Sequence, residues 1–121
     1  MTGAHGIAQL VDRHEGMVPV SEIHGEIDAS NVDDVLTHVV AQVPLAAPGI
    51  VVDLTETRYL DSAGVRFLFE LARRLRARRQ ELRVVVPTSG VVRRVLVLTA
   101  LGEVVALDTD VLEAVKMVQS H

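Results

Sequence analysis

The sequence predicts an α/β fold of one domain built on a largely parallel sheet, and three observations carry that expectation. Short β-branched runs alternate with segments whose apolar residues recur at helical spacing. Gly and Pro residues fall singly between those segments, as turn signals do. Hydrophobic residues make up 49% of the 121 residues and charged residues 23%, enough to bury a core and far from the composition of a disordered chain. The order read along the chain is β-β-α-β-α-β-α-β-α, which implies right-handed crossovers in a mixed, largely parallel sheet with packed helices. The domain is expected to span residues 1–121, with its core at about 7–118.

Residues 7–11 read as a first strand, and Glu15-Gly16 as the turn of a hairpin into a second strand over 17–27. Pro19 removes a ladder donor there, so this strand is expected at an edge or locally bulged. The period then changes: Val32, Val35, Leu36, Val39, Val40 and Val43 follow one helical face. Ser30 is its expected N-cap, with Asp33 completing a capping-box-like pair. Residues 50–54 form a run without alternation, as suits a strand covered on both faces. A second helix is expected after Asp61, with Val65, Leu68, Leu71, Ala72 and Leu75 facing inward. Residues 82–86 read as the next strand, stopped by Pro87. Ser89 is the expected cap of a third helix with an apolar stripe of Val91, Val92, Val95, Leu96 and Leu98. Residues 104–107 read as the last strand. Asp108 or Thr109 would cap a closing helix striped by Val111, Leu112, Val115 and Val118.

Composition removes several function classes. There is no cysteine, which excludes a disulfide framework and a thiolate metal site. The net charge of −4 and only three aromatic residues, Tyr59, Phe67 and Phe69, argue against a single-strand nucleic-acid groove, which needs basic walls and stacking rings. Residues 1–6 lack the pattern of a secretory leader. The longest nearly apolar run, 95–101, is far below the ~20 residues of a membrane helix. A cytoplasmic protein without membrane or direct nucleic-acid contact, and without a cofactor, is the expectation.

In parallel sheets functional groups gather where strands end and helices begin. That directs attention to residues 28–30, 59–64 and 87–90. Asp61 and Ser62 admit two readings. They form an ordinary helix cap, or Ser62 is an exposed acceptor of phosphate at the positive end of a helix dipole. A nucleophile elbow would need Gly two residues before the serine, where Leu60 stands. The five histidines show no metal-ligand spacing, and each is expected at the surface or an interface. The arginines 73, 74, 76, 78 and 79 suit a solvated helix face, a phosphate-rich ligand or an acidic protein patch. A small hydrolase using Ser62 or a histidine has no base at recognisable spacing to support it.

Gly25, Glu26, Ile27 and Asp28, residues 51–54, and then Tyr59, Leu60, Asp61, Ser62, Ala63 and Gly64 together resemble the STAS domain family. The resemblance is narrower still to its freestanding anti-anti-sigma factors, or anti-sigma factor antagonists, and extends over about 7–118. It implies a protein that is not an enzyme but the substrate of its partner, an anti-sigma factor serine kinase of the ATPase fold. Ser62 matches the phosphorylated position. The unphosphorylated domain would bind the anti-sigma factor and thereby release a sigma factor; phosphorylation would end binding, and a serine phosphatase would restore it. The surface implied for the partner comprises Asp28, Ala29, Ser30, Asp61, Ser62, Ala63, Gly64, Arg66 and Ser89. Three positions depart from the family's habit. Ala63 replaces a second hydroxyl, leaving Ser62 as the one candidate in the motif. Arg66 replaces a frequent glycine and either clamps the phosphate or pairs with Glu70. Ala100 replaces a frequent glycine before Leu101. The other function compatible with the resemblance is a STAS adaptor subunit of a lipid or anion transporter.

Overall fold

The computed structural model describes residues 8–121, together with the backbone pairing of residues 2–5. Ile7, where the first strand is predicted to begin, lies outside the described residues. The elements are β1 (Thr2–His5), β2 (Ala8–Glu15), β3 (Val18–Ile27), α1 (Val32–Ala41), β4 (Gly49–Asp53), β5 (Thr57–Leu60), α2 (Ser62–Ala77), β6 (Glu81–Val85), α3 (Val91–Leu98), β7 (Ala106–Asp108) and α4 (Val111–Gln119), with a 3-10 turn at Leu101–Glu103. The sheet runs β1-β2-β3-β4-β6-β7, with β5 also pairing β3. The β1–β2 and β2–β3 ladders are antiparallel, and the β3–β4, β3–β5, β4–β6 and β6–β7 ladders are parallel. The expected α/β class and mixed, largely parallel sheet are therefore present.

The sheet is covered unequally. Helices α1, α2 and α3 bury one face in a core that includes Ile23, Ile50, Val52, Leu68, Leu71 and Leu96. Helix α4 alone covers part of the other, where Ala114, Val115 and Val118 meet Val18, Val20, Val51 and Val85. Every residue of β4 is buried, which is why its run shows no polar alternation. The predicted stripe of α2 is wholly buried as well.

Several expectations fail for local reasons. β3 is not an edge strand: it lies between β2 and β4. Gly16, at φ 63°, opens a two-residue hairpin closed by Glu15 and Val18. That closing pair exchanges ladder hydrogen bonds, so the next pair, His14 with Pro19, does not. Pro19 thus presents its missing donor to the β4 side, where pairing starts only at Val20. The irregularity in β3 falls instead between Gly25 and Glu26, within its pairing to β5, after the strand has exchanged β4 for β5 as its parallel partner between Glu22 and Gly25. Gly25 has φ 97°, a conformation that suits glycine.

Strand β5 and the N-terminal β1 were not predicted. The last strand also begins later than expected, because Leu101–Glu103 turns as a 3-10 helix and leaves Val104 40% exposed. In α3 only Val92 and Leu96 are buried, while Val91 and Leu98 of the expected stripe are exposed. Leu112 is likewise exposed on α4, where Ala114 takes the inward position. Ala100 adopts φ 59°, the left-handed conformation that explains a preference for glycine there.

Candidate functional site

The loops that end β3 and β5 meet at one place. Asp61 is the N-cap of α2: its Oδ1 accepts hydrogen bonds from the amides of Ala63 at 2.8 Å and Gly64 at 3.1 Å. Its Oδ2 accepts the amide of Ala29 at 3.4 Å, and its own amide donates to the carbonyl of Ile27 at 3.2 Å. One carboxylate thus caps a helix and bonds the neighbouring loop to it. The macrodipole makes a carboxylate favourable at that end.

Gly64 is required by close approach. A Cβ there would stand 2.8 Å from Leu60 Cβ and 2.9 Å from the carbonyl oxygen of Ile27. The first turn of α2 is therefore pressed onto the ends of β3 and β5. Ala63 is buried in the same contact, whereas Ser62, one residue earlier, is exposed and makes no side-chain hydrogen bond among the described residues. The result is a hydroxyl presented to solvent from a pinned backbone.

The first loop is organised differently from the prediction. Asn31, not Ser30, is the N-cap of α1, and no side chain caps that helix. The Ser30–Asp33 capping box does not form, because the Ser30 hydroxyl and amide both donate to Asp28 Oδ1. Asn31 is 2% exposed and holds the loop from beneath: its Oδ1 accepts the Asp28 amide at 3.1 Å, and its Nδ2 donates to the Glu26 carbonyl at 2.9 Å. Sequence reasoning passed over Asn31. Its signal was an Asn directly before the helical face, three residues after Asp28, where an amide side chain can serve both a donor and an acceptor.

Ser89 is placed elsewhere. The N-cap of α3 is Gly90, at φ 104° and without a side-chain cap, so Ser89 does not cap that helix. It lines a hollow with Arg93, Arg94, Val97 and Leu98 and is absent from the lining of the groove beside Ser62. At the closing helix the cap is Asp110, which accepts the Leu112 amide at 3.1 Å; neither Asp108 nor Thr109 takes that role. Asp108 instead binds Arg83 at 2.8 Å.

Beside Ser62 lies an open groove of ≈ 530 Å³ lined by Tyr59, Ser62, Arg66, Phe69, Val95 and Thr99, among others. Its apolar wall is formed by Tyr59, Phe69 and Val95, whereas the exposed Val97 and Leu98 of α3 line the separate hollow with Ser89. The apolar wall was missed because Tyr59 belongs to the unpredicted strand and α3 was assigned too broad an inward stripe.

The charged side chains around α2 settle one of the alternatives. Glu70 binds Arg73 at 2.6 Å and Arg74 at 2.9 Å, and these hydrogen bonds lower its carboxyl from the ordinary 4.5 to about 2. It does not pair with Arg66. The order of residues explains this, since an acid placed N-terminal to its i+4 base is favoured over the reverse. Of the other arginines, Arg76 reaches the Val104 carbonyl at 3.5 Å, Arg78 is the C-cap residue of α2, and Arg79 turns the chain at φ 58°.

His38 is half-buried: its side chain is 14% exposed and 2.6 Å from Asp12, which also accepts from buried Ser21. His24 and His121 contact Glu22 and Glu81. Among the described residues no group of three or more His, Cys, Asp or Glu side chains is arranged to hold a metal ion. No helix among them is long and apolar enough to cross a membrane.

The family model described as STAS domain matches residues 9–114. No curated protein matches the chain significantly. Among solved structures, an anti-sigma factor antagonist from Mycobacterium paratuberculosis is 24% identical, covers 93% of this chain and 94% of its own, and superposes with a TM-score of 0.82. A sulfate transporter family protein from Wolinella succinogenes is 16% identical with 88% of each chain covered and a TM-score of 0.72. The Bacillus cell fate determinant SpoIIAA in its phosphorylated form is 19% identical, covers 90% of this chain and 98% of its own, and gives 0.61. At these identities the likeness is one of fold.

Proposed function

The chain belongs to the STAS domain family, and from that membership we propose that it is an anti-sigma factor antagonist whose partner binding is switched by phosphorylation of Ser62. The observation that carries this reading is the exposed Ser62 hydroxyl on the first turn of a helix whose backbone is pinned by Asp61 and Gly64. The partner in this reading is an anti-sigma factor serine kinase of the ATPase fold. When it is bound by the unphosphorylated domain, a sigma factor is released. Phosphorylation forms the bond from Ser62 Oγ to the γ-phosphorus of ATP as ADP leaves, and a serine phosphatase reverses the state. Cytoplasmic location accompanies this reading.

The proposed contact surface joins the 28–30 loop, residues 61–64 and Arg66, with the apolar wall of Tyr59, Phe69 and Val95 beside them. Ser89 would lie on its far margin. A phosphoserine carries about −1.5 to −2 charges. Placed in an interface next to Asp28 and Asp61, it combines like-charge repulsion with the cost of desolvating a dianion. A penalty of ~3 kcal/mol weakens binding on the order of 100-fold. The free domain tolerates the same charge, because it sits at the positive end of α2. The switch therefore acts on the surface and leaves the fold in place.

The experiment is a pull-down from the source cell with wild type and Ser62→Glu, together with incubation of the purified domain with ATP and the captured kinase. The reading requires phosphate on Ser62, loss of the kinase from Ser62→Glu and its retention by Ser62→Ala. Equal capture by Ser62→Glu and wild type would reject it. The likeness to the Wolinella sulfate transporter family protein favours a second reading, a static adaptor in a transporter. That reading gains if Ser62 takes no phosphate from any cognate kinase.

A further inference from the structure

We infer that Arg66 is the receptor of the Ser62 phosphate within the same helix, so that phosphorylation both adds a dianion and withdraws a guanidinium from the surface offered to a partner. This inference rests on the reading of Ser62 as the modified residue. Three observations carry it. Ser62 and Arg66 stand one turn apart on the exposed side of α2 and line the same groove. Arg66 forms no ion pair among the described residues. Its expected partner, Glu70, is held by Arg73 and Arg74.

The order of charges explains why Arg66 accepts one acid and not the other. Pairing with Glu70 would place the base N-terminal to the acid, the weaker arrangement. A phosphate on Ser62 reverses that order: acid first, base four residues on, with the acid on the favourable end of the helix dipole. A guanidinium also matches phosphate oxygens with paired N–H groups, which an ammonium does not.

The other acids nearby leave Arg66 available. Asp61 is turned toward the amides of Ala29, Ala63 and Gly64. Asp28 takes both donors of Ser30. Asp33, on α1, lines a second hollow with Arg66 without forming an ion pair to it. A phosphate on Ser62 would thus meet one uncommitted cation at helical spacing. Glu70 keeps Arg73 and Arg74, so those two arginines are not drawn in.

The test needs no kinase. The full chain is made with phosphoserine incorporated genetically at position 62, in wild-type, Arg66→Gln and Arg66→Lys backgrounds. The second ionisation of the phosphate is followed by phosphorus NMR against pH, and the Arg66 Nε–H resonance by proton–nitrogen correlation. In wild type the phosphate should ionise roughly 0.3 pH unit or more below its value in Arg66→Gln, as a pair of this kind contributes. Arg66→Lys should recover part of that shift, and the Nε–H signal should move on phosphorylation. Coincident titrations in wild type and Arg66→Gln with an unmoved Nε–H signal would overturn the clamp. That failure is separable from failure of the switch: the titration requires no partner, while the switch is judged by kinase binding and phosphate uptake at Ser62.

Discussion

The N-termini of α2 and α3 stand at comparable places, each after a strand of the parallel part of the sheet and each beside an exposed serine, yet they are built in opposite ways. At α2, Asp61 caps two amides and reaches across to Ala29, and the space a Cβ of Gly64 would need is occupied by Leu60 and Ile27. At α3, Gly90 has no side-chain cap and nothing within 4 Å of where its Cβ would be. The difference teaches that an exposed serine is held in a defined position when the backbone beneath it is capped and closely packed. Ser62 has such support; Ser89 does not.

The largest expected effect tests that contrast in packing. Gly64→Val should cost about 3 kcal/mol in urea unfolding, since a branched side chain must displace Leu60 and the Ile27 backbone. Gly90→Ala meets no atoms and should cost only the backbone strain of alanine at φ 104° and ψ −177°, about 1–2 kcal/mol. Equal losses at the two positions would break the comparison. Next come the caps. Asp61→Ala should destabilise by about 1–2 kcal/mol, and Ser89→Ala by less than about 0.5 kcal/mol, by the same measurement.

These two helix starts also show what could be read without coordinates. Asp61 was legible because cap chemistry acts over three or four residues, whereas Gly64 entered only through the family motif, since the atoms it must avoid belong to Leu60 and Ile27. Ser30 and Ser89 carried the same local preference, but Ser30 lost it to a competing local turn and at α3 Gly90 stands in the cap position. Ser30 was taken by Asp28, and Asn31 found partners at both ends of its amide. The strand Thr57–Leu60 was hidden because its four residues owe their place to the parallel partner Gly25–Ile27, more than thirty positions away, and not to a pattern of their own. The exposed side of α3 was hidden for a related reason. Periodicity marks an apolar stripe but not its width, so Val91 and Leu98 were placed inside. The core of α2 was plain because one face is apolar and the other charged.

Smaller effects refine the contrast at the far ends of the same helices. Ala100→Gly should stabilise the domain by about 1 kcal/mol, because it relieves a left-handed alanine just after α3. At α2, the Glu70 carboxyl lies at about 2, below its ordinary 4.5, so its ionised form is favoured in the folded state. The resulting stability is complete above about 4.5 and is lost as pH falls toward about 2. Glu70→Gln should lower stability slightly near neutrality, change nothing below about pH 2, and so flatten the acid limb of the stability profile across that window. The change will be modest, as both partners are solvated. A steeper limb would contradict the placement of Arg73 and Arg74 on Glu70.

The most direct measurement of the central claim is the affinity of the purified anti-sigma factor kinase for two forms of this chain, unmodified and stoichiometrically phosphorylated on Ser62. The account predicts a weakening on the order of 100-fold with the fold unchanged by circular dichroism. Equal affinity for the two forms would contradict it.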